Sequence, residues 1–225
     1  MSLTEFPDVI QGSDEWLDQR RGIVTASVVG QLVTPKYLKI AANDKSRSIV
    51  AQLVAERITG YTDPTYVGDD MLRGVEDECR ARDLYAEVYQ RPVREVGFLL
   101  REETTWKLGY SPDGLVGTDG LIEVKSRRSK LHLRTILDDE VPAEFVAQCQ
   151  AGLLVSGRAW IDFISYSGGM PMWHKRLLPD PAWQDAIIAA VEQFEATAAE
   201  MVAEYAAKAD GLPATERTTY MEMRI

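Results

Sequence analysis

The stretch SPDGLVGTDGLIEVK, residues 111–125, decides how the centre of this chain folds. A Pro-Asp-Gly turn and a Thr-Asp-Gly turn enclose one short apolar run, and a second apolar run follows them. Because side chains alternate along a strand, Glu123 and Lys125 point to the same face of the second run. Asp113 lies in the turn before the first run. The stretch therefore predicts a hairpin that brings two acids and one lysine together.

This residue set has the chemistry of a divalent-metal site. The carboxylates of Asp113 and Glu123 supply two hard oxygen ligands, and the carbonyl of Val124 can supply a third. The ammonium of Lys125 can orient an attacking water, help to deprotonate it, or neutralise developing charge. With only 2 histidines in the chain, a histidine-rich zinc or iron site is disfavoured. The sequence predicts Mg²⁺ or Mn²⁺.

Composition indicates one domain of ordinary size. The chain has 225 residues, of which 45% are hydrophobic, so we expect one domain over residues 1–210 and a tail over residues 211–225. No signal pattern and no apolar run of about 20 residues is present, which predicts a soluble, cytoplasmic protein. The 2 cysteines lie in predicted helices without a CxxC pair, so we expect free, buried thiols.

The net charge of −10 argues against a protein that coats nucleic acid through a diffuse basic surface. It is compatible with an enzyme acting on DNA, because metal-binding nucleases need carboxylates and can confine positive charge to a substrate channel. The position of the basic residues therefore matters more than their number.

The remaining periodicity predicts a mixed α/β fold, in which a central mixed sheet is flanked by helices. Two short helices are expected between residues 14 and 33, with a break near Gly22. Longer helices are predicted over residues 46–58, 70–89, 143–155 and 181–208. Strands are predicted over residues 93–100, 107–111, 114–116 and 121–125, forming an antiparallel meander, and over residues 160–166 and 172–177. The predicted apolar stripe of the helix over residues 70–89 comprises Leu72, Val75, Cys79, Leu84 and Val88.

Four segments, in this order, resemble the phage lambda exonuclease family of viral-recombinase-type exonucleases. They are QGSDEWLDQRRGIVTAS, GVEDECRARDLY, the metal-site stretch over residues 111–125, and AQCQ. The resemblance covers roughly residues 10–178. It implies a restriction-endonuclease-like fold and a Mg²⁺-dependent exonuclease that degrades one strand of linear duplex DNA from its 5′ end. The products would be 5′-mononucleotides and a 3′ overhang for phage-type DNA recombination.

The resemblance also implies roles for individual acidic residues. Asp113 and Glu123 would bind the metal, Lys125 would act in catalysis, and Glu78 would complete the acidic site from the helix over residues 70–89. For Glu78 the alternative is a surface ion pair with Arg82 four residues on. Glu76 is a rival for the same place and fits the spacing less well.

Further residues are assigned in the same way. In AQCQ, Gln148 and Gln150 cannot both face one side of a helix, and Gln148 is expected to reach the active site. Arg20, Ser27 and Ser111 match positions that hold the 5′-terminal phosphate of DNA, although Arg21 can substitute for Arg20. Individually, an arginine on the surface, a helix cap and a turn serine would explain the same three residues.

The densest basic stretch begins at the predicted catalytic strand and predicts contact with the DNA backbone through nonspecific charge neutralisation. The alternative is a solvated basic loop. If the basic stretch contacts DNA, the expected contact residues are Arg127, Arg128, Lys130 and Arg134, and His132 lies among them.

Partners follow from the resemblance alone. It implies double-stranded DNA ends as substrate, two Mg²⁺ ions with Mn²⁺ as a substitute, a ring-shaped homotrimer around the DNA, and a single-strand-annealing recombinase as partner. Two other functions stay open: a structure-specific endonuclease of the same superfamily, and a catalytically inactive module that only binds DNA.

Overall fold

The computed structural model describes residues 2–64 and 68–217, without the side chain of Asp70. Its strands are β1 (Ser2–Phe6), β2 (Val33–Thr34), β3 (Lys39–Ile40), β4 (Val93–Arg94), β5 (Phe98–Glu102), β6 (Lys107–Tyr110), β7 (Gly114–Val116), β8 (Gly120–Ser126), β9 (Trp160–Tyr166) and β10 (Trp173–Leu177). Its helices are α1 (Asp14–Arg20), α2 (Ala26–Val29), α3 (Asp44–Thr59), α4 (Asp69–Tyr89), α5 (Ser129–Asp138), α6 (Ala143–Ser156) and α7 (Pro181–Ala209). No helix in these ranges is long and apolar enough to cross a membrane.

The central sheet has five strands in the order β10-β9-β8-β7-β4. β8 and β9 run parallel, with Glu123 opposite Phe163, and every other pair in the sheet is antiparallel. The parallel pair is joined by α5 and α6, because a parallel connection needs a crossover segment. The observed sheet confirms the predicted mixed sheet with flanking helices.

The predicted antiparallel meander is wrong as a single sheet. β7 and β8 form the expected hairpin, but β5 and β6 pair with β1 in a separate three-stranded sheet. The predicted strand over residues 93–100 accordingly divides into β4 and β5. The chain changes sheets beside Gly97, where an added Cβ would lie 1.8 Å from the Val9 carbonyl oxygen, so only glycine leaves room for the backbone of that other segment.

The predicted apolar stripe of α4 is also wrong. Leu72 is 58% exposed and Val75 is 64% exposed, whereas Ala81 and Tyr85 are buried against the sheet. The Tyr85 hydroxyl donates a 2.6 Å hydrogen bond to Asp162 of β9. A small residue and a hydrogen-bonded aromatic residue therefore fix this helix, while Leu72, Val75 and Val88 face outward.

Two smaller expectations are corrected as well. The alternative of a solvated basic loop is wrong, because most of the basic stretch forms α5, where His132 is buried between the Ser165 hydroxyl at 2.7 Å and the Pro171 carbonyl at 2.9 Å. Cys149 is buried as predicted, but Cys79 is exposed because it lies on the outward side of α4.

The loop between α1 and α2 is held from both sides at Gly22. The Gly22 N–H donates to Glu56 at 2.8 Å, and its carbonyl accepts from Arg57 Nε at 2.6 Å. Arg57 in turn forms two hydrogen bonds, of 2.7 and 2.8 Å, with Glu195 of α7. Gly22 has φ +65, and an added Cβ would lie 2.4 Å from Arg57 Cγ. Helices α3 and α7 therefore fix the path of this loop.

We expect Gly22→Ala to lower the free energy of unfolding by about 2–4 kcal/mol, because alanine is strained at positive φ and its methyl group displaces Arg57. Gly60→Ala is the matched control: Gly60 has φ +61, but nothing lies within 4 Å of the added Cβ. The control should lose only about 1–2 kcal/mol. Denaturant unfolding of both variants gives the comparison, and equal losses would show that the contact with Arg57 contributes nothing.

Candidate active site

Glu123 occupies the centre of the site and is only 1% exposed. Its Oε1 accepts hydrogen bonds from Lys125 Nζ at 2.6 Å and from Gln148 Nε2 at 2.5 Å, while its Oε2 accepts from the Tyr110 hydroxyl at 3.0 Å. Strand alternation places Lys125 beside Glu123, and α6 supplies Gln148. A buried carboxylate is thus held in one orientation by a cation and two neutral donors.

Asp113 is attached to the same strand through its side chain. Its Oδ2 accepts the Val124 N–H at 2.6 Å. The N–H and carbonyl of one strand residue leave the same edge, so the Val124 carbonyl also lies on the Asp113 side of β8. Burial raises the pKa of Asp113 well above its usual value, and the negative charges of Glu123 and Glu78 raise it further.

Glu78 lies at the rim of this acidic centre. Its Oε1 is 3.3 Å from Arg82 Nη1, so the expected ion pair within the helix is present. Burial raises the pKa of Glu78, Arg82 opposes this, and Glu123 raises it, which places Glu78 within the electrostatic reach of the centre. Its rival Glu76 instead pairs with Arg80 on the exposed side of α4. The geometry therefore favours Glu78 over Glu76.

The oxygen atoms of the centre suit a hard divalent cation. Within the described ranges no group of three His, Cys, Asp or Glu side chains is close enough to form a ready-made metal cage. Mg²⁺ is commonly held by one or two carboxylates together with water, so the two acids and a carbonyl suffice. The mutual repulsion of the buried acids favours a cation here. Asp113, Glu123 and the Val124 carbonyl fit the ion, with Glu78 beside them.

The two glutamines of AQCQ have different environments. Gln148 contacts Glu123, as described above, whereas Gln150 is buried away from the acids. Gln150 Nε2 donates to the Leu178 carbonyl at 2.9 Å, and its Oε1 accepts the Asp180 N–H at 2.9 Å. Gln150 therefore joins α6 to the start of α7, while Gln148 belongs to the site.

A second cluster adjoins the acidic centre. Arg20 Nη2 lies 3.4 Å from both the Thr25 and the Ser27 hydroxyls, and its guanidinium stacks 3.7 Å above the ring of Trp16. The Trp16 indole N–H donates to the Ser111 hydroxyl at 2.8 Å. The structure thus brings Arg20 and Ser27 together with Ser111, which lies two residues before Asp113 in the chain. We define the hydroxyl–arginine cluster as Trp16, Arg20, Thr25, Ser27 and Ser111.

Arg20, rather than Arg21, has the geometry of the anion-binding residue. Arg21 forms an ion pair with Asp18 of α1. Burial lowers the pKa of Arg20 to about 10, partly offset by Glu56, so the guanidinium stays charged at neutral pH. The sequence assigned no role to Trp16 or Tyr110, because aromatic residues are usually core residues, and it offered Thr25 only as an alternative to Ser27 for the helix cap.

The basic stretch is less uniform than predicted. The Arg127 side chain is 9% exposed, contacts Glu144 at 3.3 Å and lies over the ring of Phe145, so it packs inward. Arg128 and Lys130 are exposed, as is Arg134, which lies 3.3 Å from Asp138. Contact of these three residues with DNA stays a prediction, and Arg127 does not fit an outward-facing role in this conformation.

Two exonucleases of solved structure are similar to this chain. The alkaline exonuclease LHK-Exo from Laribacter hongkongensis is 32% identical, with a TM-score of 0.79 over 89% of this chain and 100% of that chain. Its complex with dAMP gives the same values. A phage-related exonuclease from Haemophilus somnus 129PT shares the fold, with a TM-score of 0.58 at 14% identity over 81% of this chain and 96% of that chain. These matches confirm the restriction-endonuclease-like fold.

The family follows from the sequence. The YqaJ-like viral recombinase domain matches residues 15–159, and the chain belongs to this family. No curated protein matches the chain. The resemblance to the lambda exonuclease family is thereby confirmed, and family and homologue together support a nuclease role.

We expect Asp113→Asn to raise the melting temperature of the metal-free protein at pH 7 by about 2–4 °C, because it removes an unfavourable buried charge. Because the pKa of Asp113 is higher in the folded than in the unfolded chain, its charged carboxylate destabilises the fold at pH values above the unfolded-state pKa. The difference in melting temperature between Asp113→Asn and the unsubstituted protein should therefore vanish as the pH falls towards about 4.

Asp139→Asn is the control for this stability effect. Hydrogen bonds from Trp173 and Lys175 lower the pKa of Asp139, so its neutralisation should not raise the melting temperature. Differential scanning calorimetry across this pH range measures both variants. A destabilised Asp113→Asn variant at pH 7 would contradict the proposed repulsion.

Proposed function

We propose that this chain is a Mg²⁺-dependent exonuclease that degrades one strand of linear duplex DNA from its 5′ end. It would release 5′-mononucleotides and leave a 3′ overhang. The observation that carries the proposal is the hydrogen bond from Trp16 to Ser111, because it holds the Arg20 side of the hydroxyl–arginine cluster to a residue that lies only two positions before Asp113 of the acidic centre. The homologue LHK-Exo, named an exonuclease and solved with the mononucleotide dAMP, supports the same activity.

The hydroxyl–arginine cluster suits a terminal phosphate. A guanidinium and nearby hydroxyls provide charge-assisted hydrogen bonds for a phosphate dianion, which carries more charge than an internal phosphodiester. Arg20 is held by the Trp16 ring on one face and lies beside two hydroxyls, so little side-chain freedom is lost on binding. The cluster would therefore select DNA ends rather than internal positions.

The acidic centre would hold the metal. Asp113, Glu123 and the carbonyl of Val124 are the proposed ligands, Glu78 is a further one, and the proposal includes two Mg²⁺ ions that Mn²⁺ can replace. When bound, the metal supplies Lewis-acid polarisation of the phosphate and lowers the pKa of a water molecule. Hydrogen bonds from Tyr110 and Gln148 prevent the Glu123 carboxylate from turning away.

Lys125 is best suited to stabilising charge. Burial alone would lower its pKa, but Glu123 and Asp113 outweigh that effect and raise the pKa above its ordinary value. A lysine that stays protonated can neutralise charge on the phosphate in the transition state, whereas it is a poor acceptor for a proton of water. Among the three roles open from the sequence, the 2.6 Å ion pair between Lys125 Nζ and Glu123 Oε1 favours neutralisation, because it keeps the ammonium charged and fixed beside the acids.

The wider setting of the proposal rests on the family. We propose that the enzyme prepares DNA ends for phage-type recombination in the cytoplasm of a bacterial host, with a single-strand-annealing recombinase as partner. A homotrimeric ring around the DNA is part of the proposal. Arg128, Lys130 and Arg134 would contact the DNA backbone.

Digestion of DNA with defined ends tests the reaction itself. With Mg²⁺, the protein should release mononucleotides from linear duplexes, prefer a 5′-phosphate to a 5′-hydroxyl, and leave closed circles intact. Lys125→Ala should reduce the rate by about 100-fold or more, because the transition-state charge is no longer neutralised. Cleavage of circles would indicate an endonuclease, and metal binding without any cleavage would indicate a DNA-binding module.

End selection should depend on Arg20 and not on its neighbour. We expect Arg20→Ala to abolish most of the preference for 5′-phosphate, reducing kcat/KM on phosphorylated ends by about 10- to 100-fold, as for a lost charge-assisted hydrogen bond. On 5′-hydroxyl ends the loss should be small. Arg21→Ala is the matched control and should keep the preference. Equal effects of the two variants would exclude Arg20 as the specific phosphate ligand.

A further inference from the structure

Arg82 of α4 connects the rim of the acidic centre to the metal-binding turn. Its Nη1 lies 3.3 Å from Glu78 Oε1 and donates at 2.7 Å to the backbone carbonyl of Asp113. Its Nη2 lies 3.2 Å from Glu95 on the other side. One guanidinium therefore contacts a proposed metal ligand, the backbone of a second ligand and a carboxylate outside the site.

These contacts differ from an ordinary ion pair on a helix surface. The same helix carries such a pair in Arg80 and Glu76, whose side chains are 65% and 71% exposed and whose Nη2 and Oε2 atoms are 3.5 Å apart. The Arg82 side chain is 11% exposed, and its partner Asp113 is 31 positions away in the chain. An exposed helical pair contributes little, whereas a buried arginine bonded to a carbonyl fixes the relative position of two elements.

We propose that Arg82 is a positioning residue with two separable effects on metal-dependent turnover. Its positive charge competes with the metal for the Glu78 carboxylate, which weakens metal binding. Its planar donor fork holds the Asp113 turn against α4, which supports catalysis. The inference rests on the proposed function, since it assumes that Asp113 and Glu78 face a bound metal.

The two effects arise from different properties of arginine. Any cation at this position repels a divalent ion and attracts Glu78. Only a planar fork can direct one nitrogen at the Asp113 carbonyl and another at Glu95, because a lysine ammonium is a single point charge. Replacing Arg82 with lysine therefore keeps the charge and removes the fork, and replacing it with methionine removes both while keeping an unbranched apolar stem.

Metal affinity is measured first, by calorimetric titration of Mn²⁺ into the full-length protein without DNA. Arg82→Met should bind Mn²⁺ about five-fold more tightly, the size of effect that one neighbouring charge commonly has. Arg82→Lys should stay within about two-fold of the unsubstituted protein, because the charge is retained. In a Glu78→Gln background, Arg82→Met should increase the Mn²⁺ affinity much less, because residue 78 then has no charge for which Arg82 and the metal could compete.

Turnover is measured separately, on linear duplex DNA at saturating Mn²⁺. Both Arg82→Met and Arg82→Lys should lower kcat by about ten-fold or more, because a small displacement of a catalytic turn is costly. Arg80→Met is the matched control and should change neither metal affinity nor kcat. Thermal unfolding of each variant checks that the fold is intact.

Each outcome decides the inference. Tighter Mn²⁺ binding combined with slower turnover in Arg82→Met, and near-normal binding combined with slower turnover in Arg82→Lys, would support it, since general loosening of the structure weakens both properties together. Unchanged or weaker binding in Arg82→Met, or full turnover in Arg82→Lys, would overturn it while the unsubstituted enzyme still degrades DNA. If the unsubstituted protein binds no Mn²⁺ and cleaves no DNA, the proposed function fails as well.

Discussion

The hydrogen bond from the Val124 N–H to the Asp113 carboxylate is the constraint on which the rest of the site depends. It attaches the turn before β7 to the edge of β8, the strand that also carries Glu123 and Lys125. Ser111 precedes that turn and leads to Trp16, and Arg82 reaches its backbone from α4. Both the acidic centre and the hydroxyl–arginine cluster are therefore positioned relative to one central strand.

Local signals in the sequence were sufficient for much of the fold. The hairpin over residues 111–125 depends on two turns and on alternation along a strand, all within a short segment, and the structure reproduces it. Local signals could not predict which face of α4 is buried and which is exposed. Tyr85 is turned inward by its hydrogen bond to Asp162, 77 positions away, and such a partner leaves no trace in the hydrophobic period of the helix.

The candidate site shows the same division. Asp113, Glu123 and Lys125 are close in sequence, and their convergence could be predicted from spacing alone. Trp16 and Ser111 are 95 positions apart, so no periodicity could indicate that the Trp16 indole joins Arg20 to the turn that carries Asp113. The inward packing of Arg127 was likewise hidden, because a run of basic residues does not reveal which of them stacks on a neighbouring helix.

The short separation of Ser111 and Asp113 along the chain has a consequence for an enzyme acting as proposed. Two residues of extended backbone span at most about 7 Å. Ser111 at the proposed phosphate site can therefore lie no further than this from Asp113 at the proposed metal site. The distance from the bound DNA end to the bond that is cut would then be set by the protein and not by any contact with the bases. Such an enzyme would remove DNA in units of the same length from every sequence.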